Sequence, residues 1–219
     1  MTLASRAAGL ATALLCFALP AAAAAADHRE SRPVGDFTEV GVSAPVDVHV
    51  TLGDTHSLTL EGDVETINRL ETLVEAGRLK IRMKPGQQSW SWNRKVTARV
   101  VAKRIEGLGI AGSGDITAPA ITGEALKVSI AGSGDVRVGG KVEGFTASIA
   151  GSGDIRASDL DAERVKVTIA GSGDATVRAR QALSVSVSGS GDVRYYGDPT
   201  VEKKIMGSGS VRRAGGSAT

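Results

Sequence analysis

Residues 126–136 read Leu-Lys-Val-Ser-Ile-Ala-Gly-Ser-Gly-Asp-Val. Leu126, Val128 and Ile130 alternate with Lys127 and Ser129, the period-two signature of a half-buried strand. Gly132-Ser133-Gly134-Asp135 then breaks the strand with residues suited to a sharp turn. The same unit recurs along the chain. Gly-Ser-Gly-Asp begins at Gly112, Gly132, Gly151, Gly171 and Gly189, and Gly-Ser-Gly-Ser begins at Gly207. The successive spacings are 20, 19, 20, 18 and 18 residues.

Working outward, each copy keeps one grammar. Before the turns stand Phe145, Ala147 and Ile149, then Val165, Val167 and Ile169, then Leu183, Val185 and Val187. After them come Ile116, Val136, Ile155, Ala175, Val193 and Val211. A unit of this length is too short for a strand–helix–strand crossover with its loops. The repeat therefore predicts an all-β chain, a parallel β-helix or β-solenoid of about six coils. Such a stack rises roughly 29 Å at about 4.8 Å per rung. Gly112 and Gly114, Gly132 and Gly134, Gly151 and Gly153, Gly171 and Gly173, Gly189 and Gly191, and Gly207 and Gly209 are expected as structural turns. Both glycines of each corner are free to take positive φ. The last copy departs from the pattern: Lys203 takes the slot of Val185, and Ser210 replaces the aspartate. A polar last coil discourages end-to-end addition of further chains.

Upstream, Phe37 to Val42, Val46 to Leu52 and Leu58 to Leu60 read as strands. Val64, Ile67 and Leu70 have helical spacing behind Asp63, a short helix with its N-cap. The runs around Leu70 to Val74 and Leu79 to Met83 flank Ala76-Gly77 as a hairpin. Gln87 to Asn93 reads as a loop. At the start, Arg6 precedes an apolar run from Ala7 to Leu19, Pro20 breaks it, and alanines lead to Asp27. This is the pattern of a secretory signal peptide over 1–26 rather than a spanning helix. The chain then divides into a tail at 27–33 and one domain at 34–219. Within that domain 34–105 supply irregular capping strands, 106–213 the array and 214–219 a C-terminal tail.

Composition limits the function. The 219 residues carry a formal net charge of +2, which excludes a nucleic-acid binder working by bulk electrostatics. Cys16 is the one cysteine and lies in the leader, so cleavage leaves no thiol for disulfides, metal sites or nucleophilic catalysis. No P-loop, G-x-S-x-G or H-E-x-x-H motif occurs.

Asp36-Phe37-Thr38-Glu39-Val40, Gly77-Arg78-Leu79-Lys80-Ile81, the serial Gly-Ser-Gly-Asp turns and Tyr195-Tyr196-Gly197-Asp198-Pro199 follow one another in an order that resembles a known family. It is the auto-transporter adhesin head GIN domain family of secreted bacterial proteins. The resemblance spans nearly all of the mature chain. It implies a right-handed β-helical, exported protein, periplasmic or at the cell surface.

Four constellations are candidate sites. Stacking places Asp115, Asp135, Asp154, Asp174 and Asp192 in one column, whose like charges need an offset. Serial Gly/Asp turns resemble the RTX calcium solenoid, but that fold needs ligating turns at nine-residue intervals on both sides of each coil. Turn capping by serine hydroxyls and turn N–H groups is the favoured role. Thr117, Arg137, Arg156, Thr176, Arg194 and Arg212 stand two places on, so arginines should neutralise the column. Ser129, Ser148, Thr168 and Ser186 form an outward hydroxyl column suited to a glycan, a protein partner or plain solvation. Trp90 and Trp92, in Gln-Ser-Trp-Ser-Trp-Asn, suit sugar stacking, an interface anchor or a cover over the coil end. Asp47 and His49 share a strand face, with solvation the expected role.

The sequence thus reads as an exported, non-catalytic solenoid presenting a rigid surface to an envelope or surface partner, protein or glycan. It predicts no cofactor and no transmembrane segment after signal cleavage. A β-helix polysaccharide lyase or hydrolase and a calcium-binding repeat protein are the alternatives.

Overall fold

The computed structural model describes residues 28–86 and 96–215. In chain order the elements are β1 (His28–Arg32), β2 (Glu39–Ser43), β3 (Val46–Leu52), β4 (Ser57–Gly62), α1 (Val64–Arg69), β5 (Leu70–Glu75), β6 (Arg78–Met83) and β7 (Val96–Ala102). The array follows as β8 (Gly107–Gly112), β9 (Ile116–Gly132), β10 (Val136–Gly151), β11 (Ile155–Gly171), β12 (Ala175–Gly189), β13 (Val193–Tyr196), β14 (Thr200–Gly207) and β15 (Val211–Arg213). The predicted signal peptide and the Gln87–Asn93 loop lie outside the described residues.

Between successive Gly-Ser-Gly corners the chain makes one turn of a β-solenoid, about five turns in all. Each turn lies parallel to the next and in register: Ile130, Ile149, Ile169 and Val187 form one column, and Val136, Ile155, Ala175 and Val193 another. All eight are buried. The long strands β9 to β12 wrap around the coil, with breaks of register near Val138–Gly140 and Ala157–Asp161 where they bend. The core is a file of Val, Ile, Leu and Ala, with Phe37 and Phe145 the rings buried in it. A narrow coil leaves room for few such rings, which fits an aromatic content of 3%.

The glycines of a corner have two different reasons. The first takes positive φ, as at Gly132 (142°) and Gly151 (136°). Sequence reasoning gave the second the same freedom, and the structure corrects this. Gly134 and Gly153 have no left-handed backbone; a Cβ on Gly153 would lie 2.1 Å from the carbonyl oxygen of Gly134 in the preceding coil. Close stacking, not turning, excludes a side chain there. The approach lets Gly132 O accept from Ser152 N at 2.9 Å and Gly153 N at 3.2 Å.

The N-terminal region does more than cap. β2 and β3 pair in parallel with β8 and β9, forming the rung on which the array begins. β6 and β7 pair in parallel with β2 and β3 on their other side. The rungs therefore stack as β6/β7, β2/β3, β8/β9, out of chain order.

Antiparallel strands close this end: β4 on β7, β1 on β4 and β5 on β6. Asp63 caps α1, its carboxylate accepting from Thr66 N at 3.0 Å. Ala76 and Gly77 both take positive φ, the mirror-image turn that suits a two-residue hairpin. Residues 28–32, expected as tail, instead form β1. Arg32 explains it by donating to the carbonyls of Ile67 and Leu70 at 2.9 and 2.8 Å, satisfying the helix end.

Candidate functional site

The corner column is the best-defined polar array. Each aspartate turns Oδ1 towards the next coil and accepts from a backbone N–H there. Asp115 accepts from Asp135 N at 2.9 Å, Asp135 from Asp154 N at 3.0 Å, Asp154 from Asp174 N at 3.0 Å and Asp174 from Asp192 N at 2.8 Å. Asp192 closes the series on Ser210, taking both its N–H and its hydroxyl at 2.8 Å. The Ser210 hydroxyl and then its N–H hold the Asp192 carboxyl below its ordinary value. The like charges are thus offset first by main-chain donors, which carry partial positive charge into the column.

The arginine column contributes less than its alignment suggests. Arg156 bridges Asp135 and Asp154 at 3.3 and 3.4 Å. Arg137, Arg194 and Arg212 stand in register with it and form no ion pair with the aspartates among the described residues. Among the described residues no three His, Cys, Asp or Glu side chains gather as a metal group.

On another side of the coil Ser129, Ser148, Thr168 and Ser186 pair rung to rung and point outward as read from the sequence. The next outward column is Ala131, Ala150, Ala170 and Ser188, all exposed. This side presents short hydroxyls and methyls at the rung spacing, with no long side chain in either column across those four rungs. His49 lies exposed on β3, flanked in register by Arg99 and Thr117, with Asp47 two residues away on the same face. Trp90 and Trp92 lie outside the described residues.

Two features escaped sequence reasoning. A groove of about 420 Å³ opens where Gly144 and Ala182 leave the surface low on either side of Arg164. Phe145, Val165 and Leu183 form its floor, and Lys166 stands at its rim. Equal spacing hides it, because only the sizes of residues on three successive coils create the depression. The second feature is His56. Its side chain is 9% exposed, meets Phe37 edge to face at 4.8 Å and faces the Asp36 carboxylate at 3.4 Å. Lys103 and Arg104 line the pocket beside it.

At the N-terminal end, Glu61 is held between Arg29 and Arg99 at 2.5 and 2.9 Å. The Arg99 hydrogen bond, more than any other influence, lowers its carboxyl below the usual range.

A family model described as "Putative auto-transporter adhesin, head GIN domain" matches residues 36–199. The chain belongs to this family. Several solved structures share the fold of this chain. One, a "putative adhesin" from Bacteroides fragilis, has a TM-score of 0.68 at 19% identity, over 86% of this chain and 97% of that one. A "putative adhesin" from Parabacteroides merdae reaches 0.56 at 16% identity, over 88% and 98%. A "Putative lipid binding protein" from Parabacteroides distasonis reaches 0.53 at 24% identity, also over 88% and 98%. Among curated proteins there is no match. At these identities the structures establish the shared fold. No helix among the described residues is long and apolar enough to cross a membrane.

Proposed function

We propose that this head GIN domain is an exported, non-catalytic scaffold that holds a rigid side of the solenoid against a partner in the cell envelope or at its surface. The observation that carries the reading is the in-register hydroxyl column Ser129, Ser148, Thr168 and Ser186 beside the alanine column. A stacked ladder fixes these groups at about 4.8 Å intervals, so a partner meets a preorganised surface with little ordering entropy left to lose. The acids support the same reading. They recur at five of the six corners with their Oδ1 atoms occupied by main-chain donors, and no pair is set apart as acid and base.

The test uses mature protein on a glycan array and on isolated envelope fractions, with a lyase and hydrolase screen alongside. Binding without turnover, lost on replacing Ser148 and Thr168 with lysine, is the expected result. Turnover of any glycan sinks it in favour of a β-helix enzyme.

The groove beside Arg164 favours a second reading. Its floor is apolar, and its lining carries two cations, Arg164 and Lys166, against one carboxylate, Glu202, a combination that fits a single-chain amphiphile with an anionic head. One structure of the same fold carries a lipid-binding name. Displacement of a fluorescent fatty acid, abolished by Ala182→Arg, is expected on this reading.

A further inference from the structure

The two ends of the solenoid are finished differently. At the N-terminal end α1 and the antiparallel strands seal the core, leaving Leu60, Ile67 and Leu70 wholly buried. At the C-terminal end the last rung, β14 and β15, has a neighbour on one side only among the described residues. There the apolar columns end in Val201, Ile205 and Val211, which are half-buried, and Met206 is 55% exposed. A strand with one free edge offers unpaired N–H and C=O groups, a template for another strand.

Two features decide what the template accepts. The first is the register. Val201, Lys203 and Ile205 continue the inward positions of Leu183, Val185 and Val187. A strand added in the same register therefore meets two apolar residues with a lysine between them. An apolar residue opposite Lys203 would bury an ammonium without a counter-charge, whereas a carboxylate would pair with it. The second is charge. The last rung carries Lys203, Lys204, Arg212 and Arg213 against Glu202, and Lys203 forms no ion pair among the described residues.

We propose that the C-terminal end of the solenoid docks an extended acidic segment of a partner protein by strand addition. The segment has the pattern apolar–x–acidic–x–apolar, with its carboxylate set on Lys203. Main-chain pairing supplies affinity and Lys203 supplies selection, which is how strand-addition sites divide their labour. A second copy of this chain does not fit. Two basic ends repel, and none of its acidic residues has Val, Ile, Leu, Met, Phe, Tyr or Trp two places away on both sides. The site is independent of the side faces, so loss of envelope binding there leaves it standing.

The experiment uses the full chain and two synthetic nine-residue peptides of alternating pattern, one with Val-Thr-Glu-Thr-Val at its centre and one with Val-Thr-Lys-Thr-Val. Fluorescence anisotropy should show the glutamate peptide binding about tenfold or more tighter than the lysine peptide. Lys203→Glu should reverse that order, and amide exchange should slow along residues 200–207. Lys203→Met keeps the register without the charge and should bind both peptides alike; it stands in if the glutamate variant does not fold. Equal affinity of the wild type for both peptides, no binding at millimolar peptide, or protection elsewhere than the last rung overturns the proposal.

Discussion

Replacing Gly153 by alanine tests how the corner column is held together. Its backbone can accommodate an L-residue, so the consequence is steric. The new Cβ would stand 2.1 Å from Gly134 O and 3.0 Å from Ile130 Cγ2. Relief requires the two corners to part by about 1 Å, to a normal contact. The hydrogen bonds across that gap lengthen together: Ser152 N and Gly153 N to Gly132 O, and Asp154 N to Asp135 Oδ1. At a net worth of about 1 kcal/mol each, their loss costs about 3 kcal/mol. Restricting the unfolded chain returns roughly 0.5 kcal/mol, leaving a loss of about 2–3 kcal/mol. In a chain of this size that lowers Tm by about 5–10 °C.

The control is Gly123→Ala, where a Cβ would meet nothing within 4 Å and φ is ordinary. It should leave Tm unchanged or slightly raised. Gly209→Ala meets Gly191 O at 2.3 Å, yet it lies in the last coil, which can lift because no described strand stacks beyond it. Its loss should be visibly smaller than at Gly153. Thermal unfolding followed by circular dichroism ranks the three variants. If Gly153→Ala melts within about 2 °C of Gly123→Ala, contact between corners is not what excludes a side chain there.

Three further outcomes follow. Asp154→Ala removes the acceptor for Asp174 N and should cost about 1 kcal/mol in urea unfolding, while Asp154→Asn keeps an acceptor and should cost less than half as much. The Asp192 carboxyl is held below its ordinary 3.8, so its stabilising contribution is complete above that value and is lost as pH falls through the lowered one. An acid titration of the Ser210 amide signal should show this loss, and Ser210→Ala should move the Asp192 midpoint upward. Calcium and EDTA should each leave Tm unchanged, since the corner carboxylates are committed to main-chain donors; a calcium-dependent rise in Tm refutes that account.

The array was legible because its chemistry repeats at a fixed period. One strand such as Leu126–Ile130 is ambiguous, but six corners at 18–20 residues admit few architectures. The helix behind Asp63 and the hairpin at Ala76-Gly77 were legible for a different reason, their signals being local. What failed were relations across coils. The donor to each aspartate is a main-chain N–H 18–20 residues away, with no side-chain signature. Arginines two places on looked like the offset because side chains are what a sequence displays. The second corner glycine looked like a turning residue, although its constraint comes from the coil below. β1 was invisible as a strand since His28–Arg32 is wholly polar; its place depends on Arg32 reaching the end of α1.

The stacking of β6/β7 outside β2/β3 bears on how the chain is assembled. By residue 102 every element of the closed end has been supplied, before the first glycine corner at Gly112 exists. A chain delivered from its N-terminus thus carries a finished base before it carries any repeats. Each later coil finds one surface to settle on, and its contacts reach back only about 20 residues. Growth is directional, and the number of corners can vary in evolution without disturbing the base on which they are laid.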